Sequence, residues 1–523
     1  MSVGLRNVAL PVALVAGASL ALFATRADAE PLQLTLLDAA QRALTASTDI
    51  RVARIEVKDA TLTTSAELAA FYPTLGASGG VRTEKIATPL PYVDPRGVYS
   101  MTTARYAAGL SGLLPIGLRY ELGLDSQIVW TGQNATSLSP QHINSLSLTL
   151  TQPLLRDNWS NSQSKLVAAR VDSKQSLARA RAKVSDVLLE VARAYWSLAA
   201  AQQHREIAVR SVSLARSQYR ATSIKVRLGK IGRSELIEAQ AAIAARIKER
   251  VKSEQALVDA ERKLLTLIYC QRGQRGSLDL TRRLLASERP KTRSESRSLS
   301  ELISLALRDH AELRAARLAV RSQRVRADAA SVASRPKIDL VLKGGATSLA
   351  GIDTLGQPGH DRVQTPANPQ VIGGHGAAWG QVFSFKQPFV ELALRVELPL
   401  SSAARESEAR RAALRLRRTL FERDGVAARV AIGVRSAFLK LYKAQLAGQA
   451  AQSGMELARQ NLGAARKKFR VGVSTAYDVL RVQMQLAEAE RDLVNAHRDA
   501  AIARAELERS IGALPSFLGV QVR

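Results

Sequence analysis

Few residues in this 523-residue sequence have the type and spacing that chemistry requires. Cys270 is the only thiol. With no acid–base partner in its neighbourhood, it reads as a small apolar residue at a helix end. His360 and His375 fall in a stretch rich in Gly, Pro, Asn and Gln, but a metal centre needs three or four ligands at short, regular spacing. No further ligand accompanies these two, so both read as loop residues. The sequence shows no nucleophile–base pairing, no phosphate-cradling glycine loop and no Cys/His cluster. It therefore points away from an enzyme, with no cofactor and no metal expected, and towards a protein that works through its shape.

Charge and address narrow the class. Lys and Arg number 75 against 46 Asp and Glu, a formal net charge of +29. The basic residues are spread among acidic ones and are not interleaved with aromatics, which argues against nucleic acid as a partner. Solvated helix faces account for the charge; an anionic membrane or polyanion is the alternative. Residues 1–29 read as a secretory signal, with Arg6, an apolar run from Val8 to Phe23, and Ala27-Asp28-Ala29 before Glu30. After it no run of about 20 apolar residues recurs. Any membrane crossing by the mature chain would use β-strands.

The longest element runs from Arg156 to Tyr269 without a proline. Val184, Val187, Val191, Ala194, Leu198 and Ala201 recur at helical spacing, as do Ile243, Ile247, Val251, Leu257, Leu264 and Ile268. So narrow a seam suits coiled-coil packing. The break at Arg227–Gly232 predicts an antiparallel hairpin, and an arm of roughly 70 residues would be about 100 Å long.

The text then repeats. Thr35-Leu-Leu-Asp38 and Ser298-Leu-Ser-Glu301 are both capping boxes, and Pro73 and Pro336 follow them at the same distance. Ala194-Tyr195 returns as Ala437-Phe438, Gly229 as Gly472, Glu235 as Asp478 and Gln240 as Gln483. A tandem duplication explains the shared offsets. It predicts a first repeat over 30–289, with strands at about 74–153 and a hairpin at about 156–270. A second repeat over 290–523 has strands at about 336–399 and a hairpin at about 401–512.

Strand-like stretches alternate strictly. Leu392, Leu394, Val396 and Leu398 alternate with polar or small residues, as do Leu146, Leu148 and Leu150. Leu75, Ala77, Gly79 and Val81, and Ile338, Leu340 and Leu342, follow the same rule. Strands near ten residues long with one apolar face suit an outer-membrane barrel. Tyr72, Trp159, Phe385 and Phe389 are placed to form an interfacial girdle. Thr88–Ser100 and Gly351–Gly380 read as loops. Ala104–Val129 is a further alternating hairpin that either extends the barrel or packs outside it.

Duplicated helix–strand–strand–hairpin units behind a secretory signal resemble the TolC-type outer-membrane efflux proteins. The motifs are Thr151-Gln-Pro-Leu-Leu155 and Glu397-Leu-Pro-Leu400 before the hairpins, Gly229…Glu235…Gln240 and Gly472…Asp478…Gln483 at their tips, and Ala505–Gly512 at the end. The resemblance implies a mainly α chain with transmembrane β-strands, assembled as a homotrimer. Each chain would give four strands to one barrel in outer-membrane lipid and its hairpins to a periplasmic α-helical barrel. It implies a passive export duct serving a periplasmic adaptor and an inner-membrane pump, in tripartite efflux or type I secretion. It places adaptor docking at Leu228, Gly229, Val471, Gly472 and Val473, although Leu228-Gly229-Lys230 departs from the family's Val-Gly-Leu pattern. It places the periplasmic entrance at Asp478, Arg481, Glu235 and Glu238, with Arg481 standing where the family has a second acid. The competing class is a periplasmic adaptor or tether, which also uses long helical hairpins but only one, inside a split β-domain.

Overall fold

The computed structural model describes residues 32–520 except 92–93, 95, 132–135, 157–158, 269–282, 291–294, 356–365 and 399. The secretory signal, Cys270 and His360 lie outside the described residues. In chain order the first elements are β1 (Leu32–Leu34), α1 (Leu36–Ala46), α2 (Thr48–Ala69), β2 (Thr74–Ala87), β3 (Val98–Leu113), β4 (Arg119–Thr131), β5 (Leu138–Pro153), α3 (Trp159–Ser162), α4 (Ser164–Arg227) and α5 (Arg233–Ile268). There follow β6 (Leu284–Ala286), α6 (Leu299–Asp309), α7 (Ala311–Ala333), β7 (Lys337–Asp353), α8 (His375–Phe383), β8 (Pro388–Glu397), α9 (Ala403–Val471), α10 (Ala476–Ser510) and α11 (Leu514–Phe517). They group into two compact units. One comprises Met1–Ile50, Lys183–Ala306 and Ile432–Arg523, the other Arg51–Ala182 and Leu307–Ala431.

The duplication is visible in the backbone. Thr35 caps α1 through a capping box with Asp38. In the second copy Ser298 and Glu301 exchange the same two hydrogen bonds. The chain does not run as one helix from Leu36 to Pro73; it breaks at Ser47 (φ −59°, ψ 125°). Its counterpart His310 breaks α6 from α7 at almost the same angles (φ −61°, ψ 125°).

The first unit is organised on α4. Val184, Val187, Val191, Ala194, Leu198 and Ala201 are all buried, and the first five pack with Ala39 and Ala43 of α1 and Leu264 and Ile268 of α5. Along α5 only Leu264 and Ile268 of the expected seam are buried, and Val251 is 54% exposed. β1 and β6 pair in parallel, and α4 reads both strands. The Tyr195 hydroxyl donates to Leu34 O at 3.1 Å and accepts from Glu288 N at 3.2 Å. Gln202, two turns on, donates to Leu284 O at 3.0 Å and accepts from Ala286 N at 3.3 Å.

The hairpin arms are unequal. α4 and α9 have 64 and 69 residues, whereas α5 and α10 have 36 and 35. At 1.5 Å per residue that is about 100 Å against about 53 Å. α10 stops because Gly512 adopts φ +81°. The Gly512 and Ala513 amides donate back to Arg509 O and Glu508 O, a glycine-dependent helix stop.

A closed ring of charges ties the chain before α6 to α10. Arg297 meets Glu295 at 2.9 Å and Glu508 at 3.1 Å, and Arg504 meets the same two carboxylates at 2.7 and 2.8 Å. Both glutamates are nearly buried. The hydrogen bonds from Arg297 and the charge of Arg504 hold Glu295 at about 2, below its ordinary 4.5. A carboxylate depressed in the folded state stabilises it above the unfolded pKa, and that contribution is lost as pH falls through the folded value. Glu295→Gln should therefore lower the melting midpoint at pH 7, and the deficit should close between pH 4.5 and 2, measured by thermal denaturation in detergent.

The second unit carries a six-stranded antiparallel sheet in the order β2-β3-β4-β5-β7-β8. The inter-strand registers keep the faces in phase, apart from a bulge between Leu138 and Gln141 at the end of β5. Leu75 lies opposite Leu110, Leu110 opposite Leu122, Leu122 opposite Leu148, and Leu342 opposite Leu392. On the other face are Arg82, Glu84, Arg105, Asp125, Ser147, Thr149, Lys343 and Glu391. The apolar row is open: Leu75 is 80% and Leu392 70% exposed. Four strands per chain were expected; six are present, and the hairpin over Ala104–Val129 lies inside the sheet.

Two further expectations change here. Gly351–Gly380 is not all loop, since its described part contains a 3-10 turn at Pro369–Val371 and the start of α8, which covers the outer end of β5 and β7 on the apolar face. Phe389 lies opposite Gly345 on the polar face, where Lys343 sits over its ring, so it does not belong to an apolar girdle. Trp159 opens α3, and its side chain lies outside the described residues.

Candidate functional site: the hairpin tips

The two reversals, α4 to α5 and α9 to α10, are built on the same device. Gly229 and Gly472 adopt φ +69° and +83°, left-handed values that side chains with a Cβ disfavour. Gly229 N donates to Val226 O and Lys230 N to Lys225 O; Gly472 N donates to Phe469 O and Val473 N to Lys468 O. These are Schellman caps that satisfy the last carbonyls of both long helices. A Cβ on either glycine would meet nothing within 4 Å. The glycines are thus needed for backbone conformation and leave an open surface.

The returning helices start differently. At the second tip Thr475 caps α10 in a capping box with Asp478. The Asp478 carboxylate accepts from Thr475 N at 3.2 Å, Thr475 Oγ1 at 3.0 Å and Ser474 Oγ at 3.0 Å. These bonds, with Thr475 N the largest cause, hold its pKa below the ordinary value. Arg481 lies 3.8 Å away, exposed like its partner, so solvent screens the pair and it is weak. At the first tip the position corresponding to Thr475 is Gly232, which has no hydroxyl. Glu235, matching Asp478, instead crosses between hairpins and accepts from Ala476 N at 3.1 Å, satisfying an open donor in the first turn of α10. Glu238 is exposed.

A second tie joins the tips. Lys225 Nζ donates to Phe469 O at 2.6 Å and sits 3.6 Å from the centroid of the Phe469 ring. Sequence reasoning did not single out Lys225 or Phe469. The only available signal was their position three and four residues before the tip glycines. Around these ties the surface is apolar and basic. Leu228, Ile237, Val471, Val473 and Tyr477 are exposed, Val473 at 78%. Within residues 225–238 and 466–481, nine Lys and Arg stand against three acids. The structure thus brings Leu228, Gly229, Glu235, Val471, Gly472, Val473, Asp478 and Arg481 to the tips. His375, by contrast, sits in the other unit, where its Nε2 meets the Tyr106 hydroxyl and the Trp379 indole. Among the described residues no group of three or more His, Cys, Asp or Glu is placed to hold a metal ion. No helix among them is long and apolar enough to cross a membrane.

A long helical hairpin pair with exposed tips, joined to a two-faced sheet, defines an outer-membrane channel subunit. The sequence matches the outer membrane efflux protein family over residues 39–268 and 302–513, and the chain belongs to that family. It is a channel family and not an enzyme family, its members sit in the Gram-negative outer membrane, and the adaptor reading is set aside. Similar solved structures include the Campylobacter jejuni CmeC outer membrane channel, with 14% identity, 92% of this chain and 86% of that chain covered, and a TM-score of 0.63. The Vibrio cholerae outer membrane protein VceC shares 15% identity, with 91% and 96% covered and a TM-score of 0.61. The Neisseria gonorrhoeae MtrE outer membrane channel, solved in its open state, shares 18% identity, with 92% and 89% covered and a TM-score of 0.59. At these identities the likeness is one of fold. No curated protein matches the chain.

Two substitutions test the tip geometry. Glu235→Ala should speed amide exchange at Ala476–Val479, while Glu235→Gln, which keeps an acceptor, should not. Gly472→Ala should cost about 1–2 kcal/mol of local stability through left-handed strain, and Gly472→Asn, which tolerates that conformation better, should cost less. Exchange at the last turn of α9 reads both.

Proposed function

We propose that three copies of this chain form the outer-membrane duct of a tripartite export assembly. Their sheets close into one barrel with the apolar face in lipid and the polar face around water. Their hairpins form an α-helical tunnel through the periplasm towards an inner-membrane pump. The observation that carries this reading is that, away from the end α8 covers, the sheet presents an exposed apolar face (Leu75, Leu110, Leu122, Leu148, Leu392) opposite a face that carries its charges. An ordinary soluble sheet buries its apolar face, whereas a barrel in lipid needs this arrangement. β2 and β8 are left with unpaired edges, and closure against further copies satisfies them. The protein should purify only in detergent, as a trimer by native mass spectrometry. A monodisperse detergent-free monomer with native circular dichroism contradicts the reading.

The tips are the contact for a periplasmic adaptor. Val471, Gly472 and Val473 combine exposed apolar side chains with backbone that a partner can approach closely. Leu228 and Gly229 offer the same at the first tip. Gly472→Trp should abolish export at unchanged trimer abundance in the outer membrane, with Gly472→Asn as the control for the turn itself. Export at the wild-type level places docking elsewhere.

Asp478, Arg481, Glu235 and Glu238 surround the periplasmic entrance. Three copies of Asp478 make an acidic ring, which favours cations in a narrow pore, and Arg481 tempers it. The test is the reversal potential across a planar bilayer under a KCl gradient. Wild type should be weakly cation-selective, Arg481→Ala more so and Asp478→Ala less. Three identical reversal potentials remove these residues from the constriction.

A further inference from the structure

The strands β3 and β4 sit in the middle of the sheet, between β2 and β5, and pair along almost their whole length on both sides. Their faces follow those of their neighbours. Leu110 and Leu122 continue the apolar row from Leu75 to Leu148, and Ala108 and Leu124 continue the row from Ala77 to Leu146. On the opposite face Arg105 donates to Gln127 at 3.1 Å and lies 4.0 Å from Asp125. Glu121 stands further along that face, opposite Thr149. A hairpin packed outside a barrel would cover the wall with one face and meet lipid with the other. Neither place suits Arg105 and Asp125, whose side chains are 63% and 45% exposed.

Six strands cannot enclose a duct alone, since eight leave an interior barely wide enough for side chains. The two edges suit one another across copies. β2 starts just after α2 and β8 ends just before α9, so an even-numbered meander presents them antiparallel in a ring. β2 offers Leu75, Ala77, Gly79 and Val81 on its apolar face and β8 offers Val390, Leu392 and Leu394, so the apolar face continues across the joint.

Resting on the trimeric reading above, we propose that β3 and β4 are part of the channel wall. Three copies then enclose the duct with eighteen strands instead of the twelve that four per chain supply, and Arg105, Glu121, Asp125 and Gln127 line its lumen. With about 4.8 Å between strands and a tilt of about 40°, eighteen strands place opposite backbones about 36 Å apart and twelve about 24 Å. The cross-section within the outer membrane roughly doubles. The added lining carries both charge signs on facing strands, which suits bulky hydrated cargo better than selection among small ions.

The test uses the full chain in a Cys270→Ser background, reconstituted in liposomes. Single cysteines replace Arg105 and Asp125 on one face and Leu110 and Leu122 on the other. A membrane-impermeant maleimide should label the first pair on the order of tenfold faster than the second. Bimane attached at the second pair, and not at the first, should be quenched by brominated lipid chains. In addition, Ser78→Cys with Ala107→Cys, directly opposed in the sheet, should be joined by dibromobimane. Ser78→Cys with Ser145→Cys, about 14 Å apart across two intervening strands, should not. Labelling that ignores the alternation, or a crosslink between positions 78 and 145, overturns the proposal. Native mass spectrometry of the same samples reports the trimer separately, so loss of the trimer would sink the assembly and leave the strand test readable.

Discussion

The constraint on which the structure turns is the hydrogen-bonding demand of backbone in lipid. An amide or carbonyl left unpaired in hydrocarbon costs several kcal/mol. The six-stranded sheet pairs β3, β4 and β5 on both sides along nearly their whole length and leaves β2 and β8 each with one open edge. An apolar face as exposed as that of β8 keeps the sheet out of water, and its edges keep it from being stable in lipid alone. Copies of the same chain resolve both demands. They also give a purpose to exposed apolar residues on α9 at seven-residue spacing, such as Leu414 with Phe421 and Leu439 with Leu446. Such spacing is that of a helical seam awaiting a neighbour.

At the hairpin tips, conformational chemistry takes over from lipid. Each long helix stops where a glycine turns left-handed, and one of the two ties between the hairpins depends on a difference between the tips. Thr475 caps its own helix and occupies Asp478. Gly232 cannot cap, so Glu235 is available to the other hairpin. Duplication supplied two similar tips, and a single missing hydroxyl made them interlock. The excess of Lys and Arg there gives the collar of apolar residues a positive surround, a field that favours a partner with acidic side chains.

Much of this was legible in the sequence, because period and face are local properties. Alternation at Leu146–Leu150 and Leu392–Val396 identified the apolar face correctly, and the helical seam from Val184 to Ala201 is buried as its spacing requires. The breaks at Ser47 and His310 were not legible, as neither glycine nor proline marks them. α8 was hidden in text whose Gly, Pro and Asn content reads as loop. Burial along α5 was not legible, because the helix keeps apolar residues at helical spacing even where, like Val251, they are exposed. At the tips the glycines and the Thr475–Asp478 box could be read, but the crossing of Glu235 to Ala476 spans 241 residues. Contacts of that range leave no periodic trace.

The most direct measurement of closure is amide hydrogen exchange, strand by strand, in the lipid-embedded protein. If copies seal the sheet, β2 and β8 should exchange as slowly as the central strands β4 and β5 along the ten-residue length of β8. Fast exchange confined to β2 and β8, with β4 and β5 protected, would mean open edges and contradict the account.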